Sequence, residues 1–183
     1  MRYKNFLIAF GLVLFTLAVR LAFHLPDATP ITAIALISGV YLGRTWAVAV
    51  PLLALLLSDL IIGFYDWRVM LSVYGSFALI GIGSFILKRY PNLFTGAALV
   101  LASSFLFFIV TNFAVWAFSP WYAKTVEGLV YCYTLGLPFY RNMLLGDVLY
   151  TPLLFGVFVY GSEVIVRART MRERLAQALH VRV

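Results

Sequence analysis

Cysteine, histidine and charge are all scarce in this chain of 183 residues, and each scarcity excludes a class of protein. A single cysteine, Cys132, rules out an internal disulfide and any cysteine-ligated cluster. The two histidines, His24 and His180, stand near opposite ends, which argues against bis-histidine haem and histidine-rich metal sites. A Ser-His dyad has only His24 to draw on, and no Gly-x-x-x-x-Gly-Lys loop is present to cradle the phosphates of ATP. These absences point to no catalytic residue, no metal and no cofactor.

Charged residues make up only 11% of the chain, against 63% hydrophobic ones, and the mean hydropathy is +0.97. That composition belongs to a chain whose main solvent is lipid. A hydrocarbon core about 30 Å thick takes roughly 20 apolar residues per helix, so the length allows at most six spans and no soluble catalytic domain.

The expected fold is all-α, a polytopic bundle of six transmembrane helices. The spans are read at about residues 5–23, 31–42, 46–64, 69–87, 93–118 and 142–166. The second, Ile31 to Leu42, is too short to cross without tilting or extending through its loops. His24 to Pro30, with two prolines and Asp27, separates it from the first span, and Gly43-Arg44 makes a tight turn after it. Residues 119–141 are too apolar for a free loop and are read as a lid or re-entrant segment on the outer face. Residues 167–183 form a basic tail, either a short helix lying on anionic lipid or a solvated extension of the last span.

The net charge of +7 is not spread evenly. Arg2, Lys4, Arg44, Lys88, Arg89 and the arginines from Arg167 onward fall at alternate ends of the spans, the pattern of cytoplasmic boundaries. This places both termini in the cytoplasm, makes the lipid bilayer the basic residues' partner, and argues against nucleic acid. The expected location is the inner (plasma) membrane. Arg2 and Lys4 before an apolar run also resemble a signal peptide, but Arg20, Phe23 and His24 offer no small-residue cleavage site, so a retained first helix is expected.

Ionisable and amide side chains within spans are costly and mark function or pairing. Arg20, Asp59, Asn112 and Asp147 all fall in the outer third of their spans, whereas Glu163 is close enough to the cytoplasm to snorkel. Aromatic residues crowd the same level, among them Tyr74, Trp116, Trp121, Tyr122 and Tyr140. Rings supply stacking area and a few polar groups set orientation, the requirements of a planar organic ligand. The expected binding residues are Asp59, Asn112, Trp116, Tyr140, Arg141, Asn142 and Asp147, converging on one cavity, with Arg20 either in the pocket or in an ion pair. Against this stands the aromatic belt found at any membrane interface, and the pairing of Arg20 with Asp59 or Arg141 with Asp147 as simple struts between helices.

Ser58-Asp59-Leu60 and Gly146-Asp147-Val148 occupy corresponding places in two three-span halves, which is compatible with an inverted repeat. Gly39 with Gly43, and Ala18 with Ala22, are small-residue pairs that permit close helix contact.

Four stretches carry a family resemblance: Thr29-Pro30-Ile31-Thr32-Ala33-Ile34-Ala35-Leu36, Leu56-Leu57-Ser58-Asp59-Leu60-Ile61-Ile62-Gly63-Phe64, Val110-Thr111-Asn112-Phe113-Ala114-Val115-Trp116, and Leu137-Pro138-Phe139-Tyr140-Arg141-Asn142-Met143-Leu144-Leu145-Gly146-Asp147. On them the chain is identified as a member of a bacterial membrane family known as domain of unknown function 6580 and described as transport proteins. More distantly it is similar to the substrate-binding S components of energy-coupling-factor transporters. That similarity implies a vitamin-like small-molecule substrate held at the outer face and docking on an energy-coupling transmembrane subunit with ATPases. A nickel or cobalt member would carry histidine where Tyr3 and Lys4 stand, which argues against a metal substrate, while cobalamin stays open. The alternatives are an integral membrane enzyme acting on a lipid or prenyl substrate, and a structural or assembly subunit of a membrane complex.

Overall fold

The computed structural model describes the chain over residues 2–22 and 28–180, and its side chains over 3–22 and 28–161. The expected loop at His24 to Asp27, the side chain of Glu163 and those of the basic tail lie outside the described residues. Among the described residues every regular element is helical: α1 (Arg2–Ala22), α2 (Ile31–Ile37, continued as a π-helical turn over Ser38–Leu42), α3 (Arg44–Ile62), α4 (Trp67–Arg89), α5 (Leu93–Phe118) and α6 (Val126–His180). Five of the six are long and apolar enough to cross a membrane, and α2 is the shorter apolar one.

Local chemistry sets the helix ends. Gly43 and Gly63 close α2 and α3 with φ of 103° and 116°, values that side chains with a Cβ rarely adopt. The Asp66 carboxylate accepts from the N–H of Arg68 (2.9 Å) and of Val69 (3.4 Å), satisfying orphan donors at the start of α4. Asn92 does the same for Thr95 at the start of α5 (2.8 Å).

The short α2 sits at the centre. Every residue from Ile31 to Ile37 is buried, so the helix has no face for lipid or water. One side, with Ala33, Ile34 and Ile37, packs against α1, α3 and α6 through Leu12, Val50, Ala54 and Leu154. The other, with Ile31, Ala35 and Leu36, packs against Leu55, Phe77, Ile80, Val100 and Met143 from α3, α4, α5 and α6. The long helices turn Phe10, Leu60, Leu71, Phe105 and Leu149 outward, with exposures of 54–65% that suit contact with acyl chains.

Small residues let α2, α3 and α4 approach closely. A Cβ on Gly39 would fall 1.7 Å from Ser84 Oγ, and one on Gly81 would fall 2.1 Å from the Ala47 carbonyl oxygen. Pro51, inside α3, has no N–H to offer that same carbonyl, so the oxygen facing Gly81 is one that the helix itself leaves free. Gly39 thus makes the close contact read from the sequence, within the chain.

The structure draws the start of the last span differently from the sequence reading. The stretch 119–141 is non-helical only up to Thr125; from Val126 it is the first part of α6, which runs unbroken as helix to His180. Pro138 and Pro152 both lie within it. The apolar part of α6, Val126–Gly161, has 36 residues; at 1.5 Å each this is about 54 Å, well beyond a hydrocarbon core of about 30 Å.

The close packing predicts that Gly81→Ala lowers stability by about 1–3 kcal/mol, the usual cost of overpacking. Gly75→Ala, inside the same helix at a position where a Cβ meets nothing within 4 Å, does not lower it. Thermal unfolding of the two variants in one detergent checks this.

Candidate functional site

Most of the residues expected to meet in one cavity fall instead into three groups, two at the end of the bundle that carries the α3–α4 and α5–α6 connections and a third deeper, around Asp147. The first is an ion pair. Arg20 of α1 donates to Asp59 Oδ1 of α3 at 3.1 Å, and the Tyr74 hydroxyl of α4 donates to Asp59 Oδ2 at 2.9 Å. The Arg20 and Asp59 side chains are 19% and 3% exposed. Both carboxylate oxygens are therefore engaged by protein, and three helices are tied together at one point.

The second group is a cavity of about 550 Å³ between α4, α5, α6 and the connection before α6. On α6 its wall is the stripe Cys132, Leu135, Gly136, Phe139, Tyr140 and Met143, the three- and four-residue steps that put side chains on one helix face. On α5 it is Phe107, Phe108, Thr111, Asn112 and Val115, and α4 adds Val69 and Val73. Among the described residues no charged side chain lines it. Of the seven predicted binding residues, Asn112 and Tyr140 line the cavity, whereas Asp59, Trp116, Arg141, Asn142 and Asp147 do not.

Asn112 donates its amide N–H to the Phe108 carbonyl at 2.8 Å, and its Oδ1 lies over Gly136, where a Cβ would come within 2.3 Å. The amide is thus fixed with its acceptor at the cavity wall. Phe108 packs edge-on against Tyr133 at 5.5 Å and tilted against Tyr140 at 4.8 Å, so the aromatic wall is held by neighbouring rings. Tyr133 donates to the Ile109 carbonyl (2.7 Å) and the Cys132 thiol points to that of Asn112 (3.4 Å), fastening the start of α6 to α5.

The rim is the connection itself. Trp116, expected among the binding residues and four positions from Asn112 on the same helix face, donates its indole N–H to the Ala123 carbonyl at 2.9 Å. Lys124 donates to the carbonyls of Trp116 and of Ser119, neutralising the negative end of α5. Trp121 and Tyr122 are thereby presented at the cavity. Burial pushes the Tyr122 hydroxyl above its ordinary pKa, with Cys132 adding to the effect, so this group stays a neutral donor. Arg141 is exposed and Asn142 half-buried, outside the cavity wall.

The third group surrounds Asp147, which is only 1% exposed. Ser104 of α5 reaches Asp147 Oδ2 at 2.5 Å, and Thr32 of α2 approaches the same carboxylate. Oδ1 has no hydrogen-bond partner among the described residues. Gly146 makes room for the backbone of Ala28 and Thr29, which lies 3.1 Å from where its Cβ would be. Tyr74 reads from the sequence only as one of the aromatic residues at this level, not as a partner of Asp59, and Ser104, Thr32 and Gly136 escape sequence reading. Serine and threonine in membrane helices commonly bond back to their own helix, so nothing in their spacing marks the ones that reach across.

The chain belongs to a family of unknown function (DUF6580), whose sequence profile matches residues 2–168. No curated protein and no solved structure matches the sequence.

The ion pair predicts a strong coupling. Removing one buried partner leaves the other charge uncompensated, so Asp59→Asn and Arg20→Gln are each expected to cost about 3 kcal/mol, and the double variant much less than their sum. Unfolding midpoints of the four proteins in one detergent measure this.

Proposed function

Taking that membership as the premise, we propose that the protein is a multi-pass membrane transport protein, or the substrate-binding subunit of one, for a small organic solute. The observation that carries the reading is the cavity: about 550 Å³, lined by rings and aliphatic side chains, with Asn112 and Tyr140 as oriented polar groups. That volume suits a vitamin-sized molecule, and an apolar wall with few polar groups is the usual make-up of a small-molecule site. The absence of charge in the wall selects a neutral solute with a planar, apolar body and one or two groups able to pair with an amide and a phenol.

The distribution of basic residues supports a plasma-membrane location with both termini in the cytoplasm, which puts the cavity toward the outer face. The chain has no phosphate-binding loop, so accumulation of a solute draws on a gradient or on an energy-coupling partner with ATPases. The enzyme alternative has less support. Asp59 is engaged by Arg20 and Tyr74, and Asp147 is buried against Ser104, so neither presents a carboxylate to a lipid substrate.

The test is native mass spectrometry of gently purified protein, with the released small molecules identified afterwards. A bound solute is expected in the wild type, reduced about tenfold or more in Asn112→Ala and in the cavity-filling Val73→Trp. Its retention in both folded variants contradicts the reading.

A further inference from the structure

Asp147 poses an electrostatic problem that the cavity does not solve. The carboxylate is 1% exposed within the bundle, and among the described residues the only ion pair is that of Arg20 with Asp59. An ionised carboxylate in such a place needs a positive partner.

The oxygens around it supply the rest of a binding site. Thr151 is one helical turn further along α6, on the same face, and its hydroxyl oxygen is buried with no partner, like Asp147 Oδ1. Ser104 has one hydroxyl proton and two acceptors in reach, Asp147 Oδ2 at 2.5 Å and the Val100 carbonyl at 2.9 Å. When that proton goes to either of them, the lone pairs of the serine oxygen are left for a third group. Thr32, buried on α2, closes the cluster from another side. Four helical side chains from three helices thus bring carboxylate and hydroxyl oxygens together, two of them unsatisfied.

We propose that Asp147, Thr151, Ser104 and Thr32 form a binding site for one sodium ion. One carboxylate balances one positive charge, so the site matches a monovalent ion; divalent ions held within protein generally draw on several carboxylates. Oxygen ligands without nitrogen or sulfur select a hard cation.

Its place gives the ion a use. Ser104 precedes the cavity residues Phe107 and Phe108 on α5 by about a turn, and Asp147 follows the cavity residue Met143 on α6 by a turn. The site therefore lies about 5–6 Å beneath the cavity floor, along both helices that form it. A cation that draws α2, α5 and α6 together there stiffens the cavity wall, and a solute in the cavity favours the same arrangement, so each raises the affinity of the other. This coupling rests on the transport reading; sodium binding itself does not.

The experiment measures thermal stability of the full-length protein in detergent without solute, as sodium replaces potassium or choline at constant ionic strength, together with equilibrium binding of radioactive sodium. The wild type is expected to show a saturable rise of several degrees in sodium alone, and one ion per chain. Asp147→Asn abolishes both effects, and Thr151→Val weakens the half-saturation about tenfold or more. If Asp147→Asn does not fold, Thr151→Val and Ser104→Ala carry the comparison. A wild type that responds equally to potassium overturns the assignment, as does one that responds to pH and not to sodium, or a sodium response that survives in the folded variants. Loss of solute binding with sodium binding intact counts against the cavity reading alone.

Discussion

A helix that is too short to cross the bilayer and apolar on every face is the constraint around which this molecule is arranged. Seven residues of α-helix and five of π-helix span about 18 Å, and every α-helical one is buried. Such a segment gains nothing from lipid on one side only; it is accommodated when the longer helices close round it. Its two faces seed the two apolar clusters, and its glycine-bearing π-turn draws α3 and α4 within contact distance of backbone. The arrangement also carries Thr32, at the start of α2, into the middle of the bundle beside Asp147.

Polar chemistry is then confined to places where helices meet. Among the described residues each carboxylate within a span is matched with groups from other helices, Asp59 with Arg20 and Tyr74, Asp147 with Ser104. Neither contributes to the cavity, which is left uncharged. This separation divides labour: one cluster braces α1, α3 and α4, the cavity lies between α4, α5 and α6, and the Asp147 cluster joins α5 and α6 to the central helix just beneath the cavity. The connection before α6, held by Lys124 and the Trp116 indole, is a fixed rim for that cavity.

Much of the architecture could be read from composition and spacing, because a bilayer leaves a chain few options for its backbone. The short second helix, the turn at Gly43 and the helical class all follow from that restriction. The start of α6 does not. Pro138, Arg141 and Asn142 look like an interruption, but a membrane helix tolerates proline, and the one-sided stripe from Cys132 to Met143 continues through it. Asn112 and Tyr140 were legible as cavity residues since an amide and a phenol at that depth need a polar neighbour or a ligand. Trp116 was misleading, because a shared helix face says nothing of the chain that folds back to accept its N–H. Ser104, Thr151 and Thr32 were invisible for a different reason: rotation and register between helices decide which hydroxyls face a carboxylate, and neither is written in one helix's pattern.

The cavity's role is tested most directly by an experimental structure of the protein taken from native membrane into lipid nanodiscs, with no ligand added. The account predicts ordered density of a compact molecule bounded by Asn112, Tyr140 and Trp121, separate from the lipid around the bundle. A cavity filled by acyl chains continuous with the bilayer, or closed by its own side chains, would contradict it.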